Sequence, residues 1–266
     1  MDNSIDKLLD NLKDVPAMPN VVIKALNIVK DPESSLKDLG EIISYDQSLS
    51  LKVLNLVNSA YYGFAQQITS ITRALALLGM NKAKNIIIAS AMKPMLSSDK
   101  NKELWQHAIK TAVGCEYLSE HLKIMDSDVA FMVGFMHDIG KLIINMQDET
   151  SLKKIQEMVN EGSDILETED AFLGTNHAEI GAKLAKKWQL PILLTNTIKY
   201  HHNPKASTIP IECALVYLVD KLVQTDFKEE QLCNDYVKIL NIKLDEPKIL
   251  RENILNKANI LINYLS

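Results

Sequence analysis

The segment Ser127-Asp-Val-Ala-Phe-Met-Val-Gly-Phe-Met-His-Asp-Ile-Gly-Lys141 decides how this chain is read. Its spacing predicts a helix from Ser127 to Met136 with Ala130, Val133 and Gly134 on the buried side, so that His137 emerges from that same side. Gly140 marks a chain turn just after it. An adjacent His137 and Asp138 at a helix end can aim an imidazole nitrogen and a carboxylate at one ion. Taken alone, the pair reads more simply as a core histidine beside a helix-terminal aspartate.

It does not stand alone. The chain has 6 histidines. His107 sits within a strongly amphipathic segment, with Glu103 one turn earlier on the same face. His177 opens a helix behind Asn176, a plausible cap. His201 and His202 end another helix, stopped by Asn203-Pro204. Adjacent helical side chains point about 100° apart, so this pair suits two neighbouring ions better than one. Asp220 lies in the apolar stretch Ala214 to Val223, where a carboxylate is costly unless paired or bound to metal. His121, flanked by Glu120 and Lys123, reads as an exposed helix residue. Imidazole and carboxylate donors suit divalent Fe, Mn or Zn, and a bound ion would activate water and offset phosphate charge.

Around this series the pattern is helical almost throughout. Helices are expected from Asn20 to Asp31-Pro32, after Ser34 or Ser35, from Gln47 to Asn58, from Ile71 to Leu78 with Gly79 at its end, and from Asn81 to about Leu96. Further helices are expected over Glu103–Leu122, Glu149–Val159, His177–Trp188, Ile192–Tyr200, Ile209–Gln224, Glu229–Leu240 and Glu246–Tyr264. No run alternates as a strand does. The polar stretch Ser97 to Lys102 is the best boundary between two halves. The fold class is therefore all-α, in two helical subdomains. The parts are 1–98, 99–226 with the His-Asp series, and a helical extension, 227–266, that packs on the body or on a second protomer as a homo-oligomer.

Composition narrows the function. With 266 residues, 47% of them apolar, the chain can bury a substantial core without staples. A net charge of −5 without a basic stripe argues against nucleic acid as a partner. Three widely spaced cysteines fit a reducing compartment. No signal-peptide pattern and no apolar run of spanning length is present, so the expected location is the cytoplasm, away from the membrane.

At Trp105-x-His107, His137-Asp138-Ile139-Gly140-Lys141, His177, His201-His202 and Asp220 the chain resembles the HD superfamily of metal-dependent phosphohydrolases. It is similar to the binuclear HD-GYP phosphodiesterases, which cleave cyclic di-GMP, in having the extra His and the His-His pair. The resemblance implies that His107, His137, Asp138, His177, His201, His202 and Asp220 are metal ligands. It makes Asp138 and Lys141 the catalytic pair, with Lys141 on the substrate phosphate, and Glu103 an additional ligand. The likeness stops at the substrate-facing loop. After His202 the chain reads Asn-Pro-Lys-Ala-Ser-Thr-Ile-Pro, without a Trp-Asp-Gly-x-Gly-Tyr-Pro segment.

The first half looks like the HDOD family, in LKDVPAMP (Leu12–Pro19), ISYDQSLS (Ile43–Ser50), LNLVNSAYYG (Leu54–Gly63), ITSITRALALLG (Ile68–Gly79) and, later, GAKLAKKWQLP (Gly181–Pro191). This resemblance implies a bacterial signalling output module of HD-like fold. The leading expectation is a regulatory protein acting on signalling partners, with the HD site kept as a metal site or a sensor of a phosphoester or nucleotide ligand. Asn58, Ser59 and Tyr62 are candidates for the partner surface, against a plainer role as a capped turn. The rival expectation is a metal-dependent phosphatase or phosphodiesterase.

Overall fold

The computed structural model describes residues 16–30, 34–59, 62–97, 103–242 and 246–266. The expected stop at Asp31-Pro32, most of the 97–102 boundary, the LKDV residues and Ala60-Tyr61 lie outside them. Every regular element among the described residues is helical. The first half contains α1 (Asn20–Lys30), α2 (Leu36–Ser44), α3 (Gln47–Val57), α4 (Ile71–Leu78) and α5 (Met80–Leu96). The second half runs through α6 (Leu104–Leu122), α7 (Ser127–Met136), α8 (Lys141–Ile144), α9 (Glu149–Asn160), α10 (Ile165–Leu173), α11 (His177–Lys187), α12 (Ile192–Tyr200), α13 (Pro210–Val223), α14 (Asn234–Ile239) and α15 (Pro247–Leu265).

Local chemistry sets many of the ends. Asp38 reaches back to the Ser35 N–H (2.7 Å) at the start of α2. Asp46 accepts from Leu49 N (3.0 Å) at α3. α4 ends at Gly79, whose φ of +79° is open to glycine and hostile to other residues.

α5 joins the two halves. Ala83 through Ser90 are all buried, so over this stretch the helix is enclosed on every face rather than amphipathic. It packs against α1 on one side and against α6 and α7 on the other. The Trp105 indole N–H donates to Ala89 O (2.9 Å), pinning the first turn of α6 to α5. One connected core results, running from Met18 to Leu265.

The C-terminal extension packs on the body. α15 presents Ile254, Ala258, Leu261, Ile262 and Leu265 to α6 and α3. Lys52 and Lys93, from the first half, donate to the carbonyls of Leu265 (2.9 Å) and Ser266 (3.0 Å), where a helix end favours cations. Of the apolar pattern expected to pack, Ile254 and Leu261 are buried, while Ile249 is exposed.

Two local expectations are corrected. The helix expected over Glu229–Leu240 is a short 3-10 turn, Glu229–Gln231, followed by α14. Cys233 between them is extended and its N–H donates to the Tyr217 hydroxyl (3.1 Å), which interrupts the helix. α8 and α10 were not expected at all. Gly140 lies, as expected, in the turn between α7 and α8, with φ −65°.

Within α6, Glu116 is 9% exposed and lies 3.5 Å from the Lys82 ammonium. Burial outweighs that lysine and raises its carboxyl from 4.5 to about 7. A raised folded-state value means the contribution of this group to stability is complete below pH 4.5. It is then lost as pH rises through about 7. Glu116→Gln should therefore flatten the pH dependence between 5 and 8 and gain about 1–2 kcal/mol at pH 8. Urea midpoints at both pH values check this.

Candidate metal centre

The site forms where five helices converge. α7, capped by Asp126 on the N–H groups of Asp128 and Val129, is buried from Ala130 to Met136. It lies tight against α6: a Cβ on Gly134 would meet Thr111 O at 2.7 Å. This brings His107 of α6 beside His137 at the end of α7, with ring centroids 5.3 Å apart. The turn after α7 places Asp138, 2% exposed, at the centre. A Cβ on Gly140 would sit 1.9 Å from His177 O, so the turn touches the first residue of α11 directly. Asn176 caps α11 through Glu179 N (3.0 Å), holding His177 in its opening turn. α12 delivers His201 and His202, and α13 delivers Asp220.

Asp138 faces both ways. Its Oδ2 lies 3.2 Å from His137 Nε2 and 3.6 Å from His107 Nε2, while its Oδ1 lies 3.3 Å from His177 Nε2 and 3.6 Å from His201 Nε2. Asp220 Oδ1 is 2.9 Å from His107 Nε2 and 3.7 Å from His137 Nε2. Two groups with metal-ligand spacing follow, His107–His137–Asp138–Asp220 and Asp138–His177–His201–His202, with Asp138 in both.

The imidazoles are oriented for ligation. His137 Nδ1 donates to Gly134 O (2.7 Å) and His201 Nδ1 to Ile198 O (2.8 Å), which leaves each Nε2 lone pair aimed inward. His177 and His202 bring their Nε2 atoms within 3.0 Å of each other. Yet the Nε2 atoms of His107, His137 and His201 and the Oδ1 of Asp138 are buried without a hydrogen-bond partner. Buried polar atoms left in this way are expensive in a protein interior. Three of them around one carboxylate, with that carboxylate's own Oδ1 as the fourth, fit a site whose missing partners are cations.

The electrostatics agree. Burial drives His201 down to about 4 and, together with His201 and His177, pushes His202 well below its ordinary value, so both stay neutral donors. Burial also acts on His137, but the carboxylates of Asp138 and Asp220 outweigh it and raise it to about 10. A proton there takes the place of a cation. Asp138 is held well below the carboxylate range, where His137 and Lys141 overcome the cost of burial. The Lys141 ammonium lies 2.6 Å from Asp138 Oδ2, with 31% of its side chain exposed. Together with His107, 22% exposed, it marks the solvent side.

Every histidine and aspartate expected as a ligand thus lies in one cluster. Glu103 is exposed ahead of α6 and belongs to neither group. His121 is exposed, with its ring on Tyr117 (4.3 Å). Sequence reasoning missed two residues. Gln224 Nε2 donates to Asp220 Oδ2 (3.3 Å) from one turn later, and buried Glu169 of α10 contacts His177. The Gln224 signal was an i,i+4 spacing.

In the first half, Asn58 ties its own loop together, with Nδ2 on Ile68 O and Oδ1 receiving Ile68 N, both at 2.7 Å. Ser59 is buried, and half-buried Tyr62 stacks on exposed Phe64.

Fold and site together define an all-helical protein of HD-superfamily type, similar to the HD-GYP phosphodiesterases but without their GYP loop. The HDOD domain family matches residues 15–204, most of the chain, and the protein belongs to that family. It is 30% identical over 205 residues to a Treponema pallidum (strain Nichols) protein of unassigned activity, covering 74% of this chain and 39% of that one. It is 25% identical over 159 residues to the cyclic di-GMP phosphodiesterase CdgJ of Vibrio cholerae, covering 58% of this chain and 35% of that enzyme. The chain therefore spans little more than a third of either relative. Among solved structures, an HDOD domain protein of Geobacter sulfurreducens superposes with a TM-score of 0.77 at 22% identity, covering 98% and 92% of the two chains. A protein of Shewanella amazonensis SB2B described as a candidate phosphohydrolase gives 0.74 at 25% identity, covering 97% and 98%. Among the described residues, no helix is long and apolar enough to cross a membrane.

Proposed function

We propose that this HDOD protein is a cytoplasmic bacterial signal-transduction protein that works through contacts with protein partners. Its HD half holds two divalent transition-metal ions as a site that senses a phosphoester ligand. One observation carries the metal reading: two four-residue groups share Asp138, and the inward atoms of His107, His137, His201 and Asp138 are buried without partners. His107, His137, Asp138 and Asp220 would hold one ion, and Asp138, His177, His201 and His202 the other. Fe, Mn or Zn suits these donors. Such ions, when bound, supply positive charge to a phosphate and acidify a coordinated water. Lys141, on the solvent side, contributes a further cation where phosphate oxygens arrive.

Residues 1–98 form the partner-facing part, 99–226 the sensing part and 227–266 the strap across both. Two features support this division. Among the described residues, both ligand groups lie in the middle part. The first part displays Ile23, Tyr45, Leu51, Phe64 and Leu77 as exposed apolar side chains. Of the candidate partner residues, Tyr62 reaches that set through its stack on Phe64, while Asn58 holds the loop and Ser59 is buried beneath it.

A second reading, metal-dependent phosphoester hydrolysis, is favoured by the completeness of the ligand set and by Lys141 beside it. Turnover of phosphomonoesters and cyclic dinucleotides by the Mn²⁺- or Fe²⁺-loaded chain, beside an Asp138→Ala control, separates the two. The sensor predicts ligand-induced thermal stabilisation of the loaded protein with turnover equal to the control. The enzyme predicts turnover at least about 100-fold above it. A chain that takes up no metal refutes both.

A further inference from the structure

We infer that Glu169 is the positioning residue of the half-site formed by Asp138, His177, His201 and His202, a role that deepens the two-metal reading and rests on it. Glu169 is 2% exposed, on a helix, α10, that contributes no ligand. Its Oε2 accepts two hydrogen bonds from one residue, the backbone N–H of His177 and the Nδ1–H of its ring, both at 2.7 Å. The first bond satisfies an open N–H at the start of α11, where the helix favours negative charge. The second holds the proton on Nδ1 and turns Nε2 toward Asp138 Oδ1, 3.3 Å away.

This arrangement sets His177 apart from the other inward histidines. His137 and His201 rest on the neutral carbonyls of Gly134 and Ile198, whereas His177 rests on a carboxylate. A carboxylate behind an imidazole fixes the tautomer and makes the opposite nitrogen a stronger donor. A buried carboxylate is costly in itself, and that cost falls when the imidazole it holds carries the positive charge of an ion. Glu169 thus supplies orientation and charge from behind His177 without touching the ion. Neighbouring Asp170 does a related job for the cap, accepting from Asn176 Nδ2 at 3.1 Å on both oxygens.

The test uses the full chain, stripped of metal, in wild-type, Glu169→Gln and Glu169→Ala forms. The glutamine can offer one carbonyl oxygen to both donors of His177 and so keeps the orientation while losing the charge. Stepwise Zn²⁺ or Co²⁺ titration should show one of two binding steps weakened about 10- to 100-fold in Glu169→Ala and less in Glu169→Gln, with the other step unchanged. Ring-¹⁵N NMR of the metal-free protein, with His177 assigned through a His177→Gln variant, gives a readout independent of metal. It should report Nδ1–H in wild type and Glu169→Gln, and a tautomer mixture in Glu169→Ala. Wild-type binding of both ions by Glu169→Ala, or a His177 proton on Nε2 in the wild type, overturns the role. A wild-type chain that binds no ion sinks the two-metal reading instead, and the NMR arm still decides whether Glu169 sets the tautomer.

Discussion

Replacing Asp138 with alanine is expected to remove both metal ions at once, taking the chain from two equivalents to essentially none. The reason is geometric. One carboxylate oxygen faces His137 and His107, and the other faces His177 and His201, so no other residue belongs to both groups. Changing an outer-shell partner of a metal site costs about 10- to 100-fold in affinity, and losing a shared ligand should cost at least about 100-fold at each position. His202→Ala is the contrast, because His202 belongs to one group only and its loss should leave one equivalent behind. Elemental analysis of protein purified without chelator, followed by titration of stripped protein, measures both variants. An Asp138→Ala chain that still carries two ions would rule out the shared-ligand arrangement.

Gly140→Ala should produce the largest loss of stability of any single methyl addition near the site. An added Cβ would lie 1.9 Å from His177 O, 2.7 Å from Gly181 N and 2.8 Å from His177 C, all backbone atoms that no side-chain rotation can move aside. The turn carrying Asp138 and the start of α11 would have to separate. Overpacking a rigid contact costs about 1–3 kcal/mol and here should reach or exceed the top of that range. Metal uptake should fall with it, since Asp138 and His177 are the residues pushed apart. Gly79→Ala provides a calibrated comparison: nothing lies within 4 Å of its added Cβ, but its φ of +79° makes an alanine strained, at about 1–3 kcal/mol. Denaturant unfolding of the two variants separates collision from backbone strain. Only Gly140→Ala should also disturb the metal centre.

Much of this was legible in the residues. The expected helices over Ile71–Leu78, Ser127–Met136 and Ile192–Tyr200 are present with those bounds, because each has a clear punctuating residue before or after it. α10 was missed although Asp164 caps it and Gly174 ends it with a positive φ. Its acidic run, Glu167, Glu169 and Asp170, hides any apolar face, and Glu169 is inside for its partner rather than for its polarity. The break at Cys233 was also hidden, because the hydroxyl that causes it belongs to Tyr217, 16 residues away. Gly140 lies in the turn expected for it. Its lack of a side chain answers a neighbouring helix, not its own dihedral angles.

The amino-acid sequence by itself determined the helical class and the identities of the histidines and aspartates at the centre. Apolar periodicity, caps and ligand chemistry are local properties of a chain. Only the tertiary structure decided that Asp138 stands between two ligand groups, that Glu169 backs His177, and that α5 and α15 tie both halves into one core. Those facts depend on how closely helices distant in the chain approach each other. That approach is set by close packing at contacts such as Gly134 on Thr111 and Gly140 on His177, which no local pattern encodes.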